Sequence, residues 1–488
     1  MTLAQTLAAL SPELVLLGAG LAVLLLDMLW KDNEVNKNCL PALALLGLFG
    51  ALAAVSLMWS RLSGGAVRVA TMLDVDAPAM FIRVIAIVVT ALVVLSSVAF
   101  MRGKTRYRGE FYAFLLFAAL GICLMASATN LLLIYLAIEM LSITSYILTG
   151  YLREDKKSVE AAVKYFLYGA IVSAVMLYGM SFFYGITGTT DLRGIADFFA
   201  DSATSEGLRW AALAAGGLLF AGLGFKVAAV PFHQWAPDAY EGAPTPVTAF
   251  LSVGPKAAGF AVLLRVLILA LPAFREDWSA ALSIIAVLTM SLGNLVAIVQ
   301  KNIKRMIAYS SIAQAGYILV GLAALGGDNY GMQGVLLYLF VYLFANLGLF
   351  AVVIGFYNAT GSDQIEDYAG LVRRSPWLAG GLAIFFLALV GIPPTAGFPG
   401  KLLIFGSAIR EELYVLAALG VLNGVISLYY YFNVVRHAFF MEPKEGGSVV
   451  LDPTVRVVLL VCMAMVLLVG VFPQPVIRLV QAAAIALA

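Results

Sequence analysis

Charged side chains stand inside apolar runs at several points of this chain. Lys226 lies within the hydrophobic segment 222–231, and Lys256, Lys401 and Glu139 lie in stretches of the same character. A charged group at the centre of a bilayer costs about 3 kcal/mol or more, so such groups are retained mainly where they serve a function. The pattern predicts that these side chains move an ion through a membrane.

Glu139 and Lys226 are the natural candidates for an interacting pair. Burial favours the neutral form of each group, whereas an opposite charge nearby favours the charged form. A lysine held between these effects can load and release a proton as its partner approaches or withdraws. The alternatives are a neutral glutamic acid bonded to a neighbouring helix and a static ion pair that fixes helix packing.

Lys256 and Lys401 are each preceded by residues that disturb a helix. Lys256 follows Gly254-Pro255 and is too far from either span end to reach water comfortably, so we expect it to relay a proton. Lys401 ends the proline-rich stretch 391–401, and we expect it to be a terminal proton site. The alternative for Lys401 is that it anchors a broken helix.

Two further candidates carry less weight. Lys164 lies close to one end of its apolar stretch, so its side chain could reach the water interface. That position accounts for the lysine as well as a functional role does. His233 titrates near neutrality and suits a proton wire, although a hydrogen-bonded loop histidine explains it equally well. Arg83 and Arg265 lie near span ends and are expected to be interfacial. Hydroxyl and amide side chains on the same spans could hold ordered water or bond neighbouring helices: Ser142, Thr144, Ser145, Tyr309, Ser310, Ser311 and Gln314.

Composition makes this an all-α polytopic membrane protein. Of 488 residues, 62% are hydrophobic and 12% are charged, whereas soluble domains carry about 25% charged residues. A spanning helix needs about 20 apolar residues. We predict fourteen spans, at about 11–30, 39–60, 77–100, 110–128, 130–151, 160–186, 208–230, 245–271, 279–299, 305–325, 331–357, 378–408, 412–435 and 455–473.

The basic residues predict an orientation for these spans. Odd-numbered loops hold 17 Lys and Arg residues, and even-numbered loops with the C-terminal end hold 7. Because cytoplasmic loops carry the excess, both termini should lie on the outer side of a bacterial-type inner membrane. We expect no cleaved signal peptide, since no basic region precedes the first apolar run. Neither a disulfide framework nor a metal site is indicated by three cysteines without paired spacing.

Two irregular stretches, 231–246 and 391–401, interrupt the helical pattern at membrane depth. Paired breaks in corresponding halves of a chain are typical of transporters with inverted repeats. The segment 145–151 resembles the segment 316–322, which also favours a repeat. We therefore predict two inverted five-helix repeats, each with a broken helix. The predicted units are 1–108 (helices 1–3), 109–271 (helices 4–8), 272–440 (helices 9–13) and 441–488 (helix 14).

The residues 224–246 resemble the long signature of the antiporter-like subunits of respiratory complex I. The same motif occurs in multisubunit cation/proton antiporters and in membrane-bound hydrogenases. The resemblance covers essentially the whole chain, and Lys401 with the chain's size is similar to the subunit N branch of NADH–quinone oxidoreductase. It implies that Glu139 modulates Lys226, that Lys256 passes the proton along the membrane plane and that Lys401 delivers it outward.

The resemblance also implies what surrounds the chain. Its partners would be other membrane-arm subunits, the lipid bilayer and protons carried by ordered water, with no nucleic acid. The chain would be a non-redox subunit of a proton-translocating NADH:quinone oxidoreductase and would bind no cofactor or metal itself. NADH, flavin, iron–sulfur clusters and quinone would belong to other subunits. The alternatives are a subunit of a cation/proton antiporter or membrane-bound hydrogenase, and a structural scaffold with static ion pairs.

Overall fold

The structure is a computed structural model that describes residues 3–30, 37–60, 66–201, 206–443 and 447–485. Three basic residues assigned above to loops, Lys31, Arg61 and Lys444, lie outside the described residues. Within the described ranges, the chain is built almost entirely of helices.

Thirteen of the described helices are long and apolar enough to cross a membrane. These are α2 (Ser11–Leu29), α3 (Leu40–Trp59), α4 (Ala77–Met101), α5 (Arg108–Ser127), α6 (Leu131–Thr149), α7 (Lys156–Thr187), α9 (Glu206–Val227), α11 (Thr245–Arg265, continued by a π-helical turn Val266–Ala270), α12 (Arg275–Ala297), α13 (Ile303–Ala323), α14 (Tyr330–Thr360), α18 (Tyr414–Phe440) and α19 (Pro453–Val471). A further crossing consists of two half-helices, α16 (Pro376–Val390) and α17 (Gly397–Arg410). The predicted all-α membrane fold with about fourteen crossings is confirmed.

Shorter elements connect the crossings. They are α1 (Leu3–Ala9), a hairpin of β1 (Val67–Val69) and β2 (Leu73–Val75), α8 (Leu192–Asp201), α10 (Trp235–Gly242), 3-10 turns at Pro272–Phe274 and Ile365–Tyr368, α15 (Leu371–Arg374) and α20 (Gln474–Ile485). Sequence analysis treated the regions of α8 and α15 as polar loops and did not expect α20. Each is too short to show as a span, so composition alone concealed it.

The loops alternate between two faces of the molecule. Lys37 donates to the Arg106 carbonyl at 3.1 Å, which joins the first and third loops, and Arg374 donates to the Gly447 carbonyl at 3.1 Å, which joins the eleventh and thirteenth. On the opposite face, Arg275 donates to the Leu325 carbonyl at 2.9 Å, between the eighth and tenth loops. We call these the odd-loop face and the even-loop face. This alternation is what a correct count of crossings produces.

The same turn occurs once on each face. Asn130 caps α6 and forms a bridge with Asp191, and Asn302 caps α13 and forms a bridge with Gln364. The long helices α7 and α14 precede Asp191 and Gln364, respectively. Each ends at a glycine in the left-handed conformation, with φ of +70° and +71°. These pairs lie 172 or 173 residues apart and on opposite faces, as two inverted copies of one unit would place them. The division of the chain at residues 108, 271 and 440 stays a prediction.

Arg83 and Arg265 lie inside the protein, so the expectation that they are interfacial is wrong. The Arg83 guanidinium is 2.6 Å from the Glu13 carboxylate, and the Arg265 guanidinium is 2.6 Å from Asp76. Arg83 is fully buried and Arg265 is 2% exposed. A carboxylate from another part of the chain meets each guanidinium, which is why neither has to reach the interface.

Candidate functional site

The first broken helix ends immediately after Lys226. Helix α9 stops at Val227, and Ala228 takes a left-handed conformation with φ of +59°. The Trp235 indole N–H donates to the Phe225 carbonyl at 2.9 Å, which fastens α10 back onto the end of α9. The irregular stretch predicted to run to residue 246 is therefore shorter, because residues 235–242 form α10. Pro237 is tolerated there because it lies in the first helical turn.

In the second broken helix, Lys401 of α17 binds the end of α16. Its ammonium donates to the carbonyl of Val390, the last residue of α16, at 2.9 Å. Gly391 has φ of +91°, and a Cβ at that position would come within 2.9 Å of the Lys401 side chain. Lys401 thus places a cation at the carbonyl end of a half-helix, where the helix dipole favours positive charge. The same bond links α17 to α16.

Glu139 and Lys226, the candidates for an interacting pair, lie on neighbouring helices but form no direct ion pair. Lys226 donates to the Ser142 hydroxyl at 2.6 Å, while Glu139 accepts a hydrogen bond from Ser173 of α7. No ion pair within 4.0 Å joins the two charged groups. Glu139 and Ser142 lie one turn apart on α6, so their side chains are neighbours on the helix surface. Ser142 faces α9, and its hydroxyl, rather than the Glu139 carboxylate, binds the Lys226 ammonium.

Lys256 lies at the centre of the protein. Its ammonium donates to the Ser311 carbonyl at 2.6 Å and to the Ser311 hydroxyl. That hydroxyl also lies 3.2 Å from the Tyr240 hydroxyl. Helices α10, α11 and α13 therefore meet around one ammonium group, which is 2% exposed.

Lys226 and Lys256 stand on facing helices. Gly259 of α11 packs against Lys226, and a Cβ added at Gly259 would lie 3.2 Å from the Lys226 Cβ. Lys256 precedes Gly259 by three residues, which is just under one helical turn. The close approach that Gly259 permits brings the two lysine-bearing helices together.

A hydrogen-bonded group continues from Lys256 towards Lys401. Ser310, next to Ser311, bonds the Tyr431 hydroxyl, and Gln314 donates to that hydroxyl at 3.3 Å. Gln314 also donates to the Leu389 carbonyl at 3.1 Å, next to the carbonyl that Lys401 binds. The Lys401 ammonium lies 4.2 Å from the centre of the Tyr317 ring. Polar side chains from α13 and α18 thus lie next to each of the two lysine sites.

Three of the buried lysines, which we call the lysine row, share one chemical environment. Lys226, Lys256 and Lys401 are 2%, 2% and 5% exposed, and their ammonium groups donate to hydroxyl and carbonyl oxygens. None of them has a carboxylate within 4.0 Å among the described residues. A lysine in such a setting can give its proton to a hydroxyl or a water molecule without leaving an unpaired carboxylate behind. This arrangement can relay protons.

Lys164 and His233 lie outside this row. The Lys164 side chain is 45% exposed and pairs with Glu160 at 2.7 Å and Asp238 at 3.1 Å. Arg305 also pairs with Asp238, at 2.8 Å, so Lys164 belongs to a surface cluster. His233 is half-buried in the first break, and the hydrogen bonds of the three lysines do not involve it.

Lys304 lies one residue before the predicted span 305–325 and is not among the predicted site residues. Its ammonium is buried and donates to the carbonyls of Glu241 at 2.8 Å and Ala243 at 2.7 Å. A lysine in the first turn of a helix opposes the helix dipole, and that signal could have marked it.

Lys304 borders a cavity of about 290 Å³ on the odd-loop face. Lys104 and Asp363 line the same cavity. Burial and the charge of Lys304 lower the pKa of Lys104 to about 8, and burial raises the pKa of Asp363. Among the described residues no cluster of three or more His, Cys, Asp or Glu could hold a metal ion.

Residues 128–427 match the family model described as NADH:quinone oxidoreductase/Mrp antiporter, transmembrane. The chain belongs to this family. The matched region begins just before α6 and includes Glu139, Lys226, Lys256 and Lys401. It therefore covers the whole row of buried charges.

Individual relatives agree with this membership over nearly the whole chain. A protein named NADH-quinone oxidoreductase subunit N from Desulforamulus reducens is 40% identical over 477 residues, which are 98% of each chain. A chain of respiratory complex I from Thermus thermophilus is 33% identical, with a TM-score of 0.80 over 97% of this chain and 100% of that one. A chain of the Mrp complex from a Dietzia strain shares the fold, with a TM-score of 0.85 at 21% identity over 100% of this chain and 98% of that one.

Proposed function

We propose that this chain is a proton-translocating subunit in the membrane arm of an NADH–quinone oxidoreductase. The observation that supports this most is the row Lys226, Lys256 and Lys401, in which buried ammonium groups bind neutral hydroxyl and carbonyl oxygens. The subunit moves protons and carries out no redox step itself. NADH oxidation, quinone reduction and their cofactors belong to partner subunits of the complex. The protein lies in a bacterial-type inner membrane with both termini on the outer side.

Each residue has a distinct part in the proposed relay. Glu139 stabilises or releases positive charge at Lys226, whose ammonium binds Ser142, one turn of α6 from Glu139. Lys256 receives the proton and holds it at Ser311 and Tyr240. Gln314 and Tyr431 carry the path to Lys401, which releases the proton outward. Water molecules bridge the steps that side chains do not span.

The electrostatics explain how the sites communicate. Two ammonium groups near one another in a weakly polar interior repel, so a proton arriving at one lysine favours release from the next. A change in the charge near Glu139 would therefore be transmitted along the row. Quinone reduction elsewhere in the complex would supply that change.

Lys256→Met in the intact complex tests the proposal directly. Methionine keeps most of the side-chain volume but removes the titratable group, so the complex should assemble while proton transfer stops. We expect NADH-driven proton uptake into inverted vesicles, measured with a pH-sensitive dye, to fall by at least about tenfold, which corresponds to about 1.4 kcal/mol in the transfer barrier.

Lys156→Met is the matched control. Lys156 is an exposed lysine on the odd-loop face and loses the same charge. It should leave proton uptake unchanged. Normal uptake in assembled Lys256→Met complex would contradict the proposal, and cation-dependent proton flux without NADH would favour an antiporter instead.

A further inference from the structure

A large basic cavity lies on the odd-loop face. Its volume is about 1550 Å³ and it is formed by the third and fifth loops with the adjoining ends of α5, α6 and α7. Five cations and two carboxylates line it, a formal net charge of +3: Arg102, Lys104, Arg106, Arg108 and Arg153, with Glu110 and Glu154. The exposed Arg102, Arg106 and Arg153 face water.

The cavity continues from this basic rim onto an apolar wall. Phe114, Tyr146, Ile147 and Ala162 form this wall. Phe114 lies six residues into α5 and Ala162 six residues into α7, which places both about 9 Å along the helix axis from the odd-loop ends. Cations therefore stand at the level of the membrane interface, and apolar side chains stand below them at acyl-chain depth.

Aromatic side chains mark the boundary between the two zones. Tyr107 lies at the rim, where the Arg106 guanidinium is 5.1 Å and the Arg153 guanidinium 5.7 Å from the centre of its ring. Stacking on one ring holds two guanidinium groups near each other. Tyrosine is also the residue that settles at headgroup level in membranes. Fixed guanidinium groups suit a phosphate, which they bind through paired N–H donors.

We propose that this cavity is a binding site for an anionic phospholipid. Arg102, Arg106 and Arg153 would bind the phosphate of the headgroup, and an acyl chain would lie along Phe114 and Ile147. A soluble anion would contact only the basic rim, and a neighbouring apolar helix would contact only the apolar wall. A phospholipid would contact both, through its headgroup phosphate and its acyl chain. Clusters of basic residues on the cytoplasmic side of membrane helices recognise anionic lipids by the same chemistry. The inference does not depend on proton translocation.

The test compares intact complex carrying Arg106→Gln with Arg153→Gln against unmodified complex. Both arginines are exposed, so the change should not impair folding. Delipidated complex is titrated with an anionic phosphatidylglycerol and, separately, with neutral phosphatidylcholine, and retained lipid is quantified by mass spectrometry. Removing two interfacial arginines should weaken phosphatidylglycerol binding about 30-fold. Phosphatidylcholine retention should not change.

The matched control is Arg373→Gln with Arg436→Gln, which removes two exposed arginines from the same face outside the cavity. This variant should retain phosphatidylglycerol normally. Equal loss in both variants, or no loss in either, would overturn the site. Full displacement of the lipid by inorganic phosphate would also contradict the proposal, because it would show that the apolar wall contributes nothing to binding.

Crosslinking distinguishes lipid from protein as the occupant. Ile147→p-benzoylphenylalanine places a photoreactive group on the apolar wall. Illumination of the intact complex should give an adduct with the mass of a phospholipid. An adduct with a neighbouring subunit would show that protein fills the cavity and would contradict the proposal.

Discussion

The protein buries two kinds of cation in two different ways. Arg83 and Arg265 each meet a carboxylate at 2.6 Å, whereas Lys226, Lys256 and Lys401 meet hydroxyl and carbonyl oxygens. A guanidinium stays protonated in proteins, but a lysine can lose its proton when its surroundings change. The arginine pairs therefore suit a fixed structural role, and the lysine row suits proton transfer. Position in the fold agrees, since both arginine pairs involve α2 or the start of α4, whereas Lys226 and Lys401 lie beside the breaks.

Breaking an arginine pair should have the largest effect on stability. Arg83→Ala leaves Glu13 buried without its partner, which costs about 3–5 kcal/mol. We expect little assembled complex, measured by native gel electrophoresis and thermal unfolding. Replacing both partners, Glu13→Met with Arg83→Met, should recover most of the assembly because apolar side chains can replace a buried pair. If Arg83→Ala assembles as well as the exposed control Arg373→Ala, the structural role of the pair is wrong.

Removing the charge of Glu139 should affect proton transfer more moderately. Glu139→Gln keeps a hydrogen-bonding side chain beside Ser173 but removes the negative charge near Lys226. Since no direct ion pair joins the two groups, we expect a coupling of about 1 kcal/mol, or roughly a fivefold loss of proton uptake. Assembly should be normal. A loss as large as that of Lys256→Met would instead indicate that Glu139 itself carries the proton.

Lys104 provides a cation outside the membrane interior for comparison. Because burial and Lys304 lower its pKa to about 8, a large fraction of its amine is neutral at pH 8. The neutral amine is the form that reacts with acylating reagents. We expect faster acylation of Lys104 than of exposed Lys156 at pH 8, measured by peptide mass spectrometry, with the rate levelling off above that pH. A Lys104 rate that still rises tenfold per unit up to pH 10 would contradict the lowered pKa.

Lys164 should show the smallest effect. Its ion pairs with Glu160 and Asp238 are partly exposed, and exposed pairs contribute about 0.2–1 kcal/mol. Lys164→Ala should therefore shift thermal unfolding only slightly and leave proton uptake near normal. A loss of uptake comparable to Lys256→Met would move Lys164 from the surface cluster into the proton path.

The sequence predicted the fold well because membranes restrict it. Apolar runs of spanning length, the alternation of basic loops and two proline-rich breaks were enough to indicate the crossings and the irregular segments beside Lys226 and Lys401. A lone charge in a long apolar run is equally visible, so the three lysines could be singled out. Short helices such as α10 and α20 were missed because their length and composition resemble those of loops.

Side-chain partners could not be read from the sequence, because they depend on how each helix is rotated. Glu139 and Ser142 lie one turn apart on α6, so the rotation of this helix decides which of them Lys226 contacts. The spacing of residues in the sequence does not determine that rotation. Arg83 and Arg265 were misplaced for a related reason. Their distance from a span end is visible in the sequence, but Glu13 and Asp76, which make burial possible, come from other parts of the chain.

The central claim is that one hydrated path joins the buried lysines, and a cryo-electron microscopy map of the intact complex that shows ordered water tests it most directly. We predict water molecules between the Lys226–Ser142 site and the Lys256–Ser311 site, and again between Gln314 and Lys401. A dry, closely packed apolar gap between Lys226 and Lys256, or a lysine side chain turned towards lipid, would contradict the account.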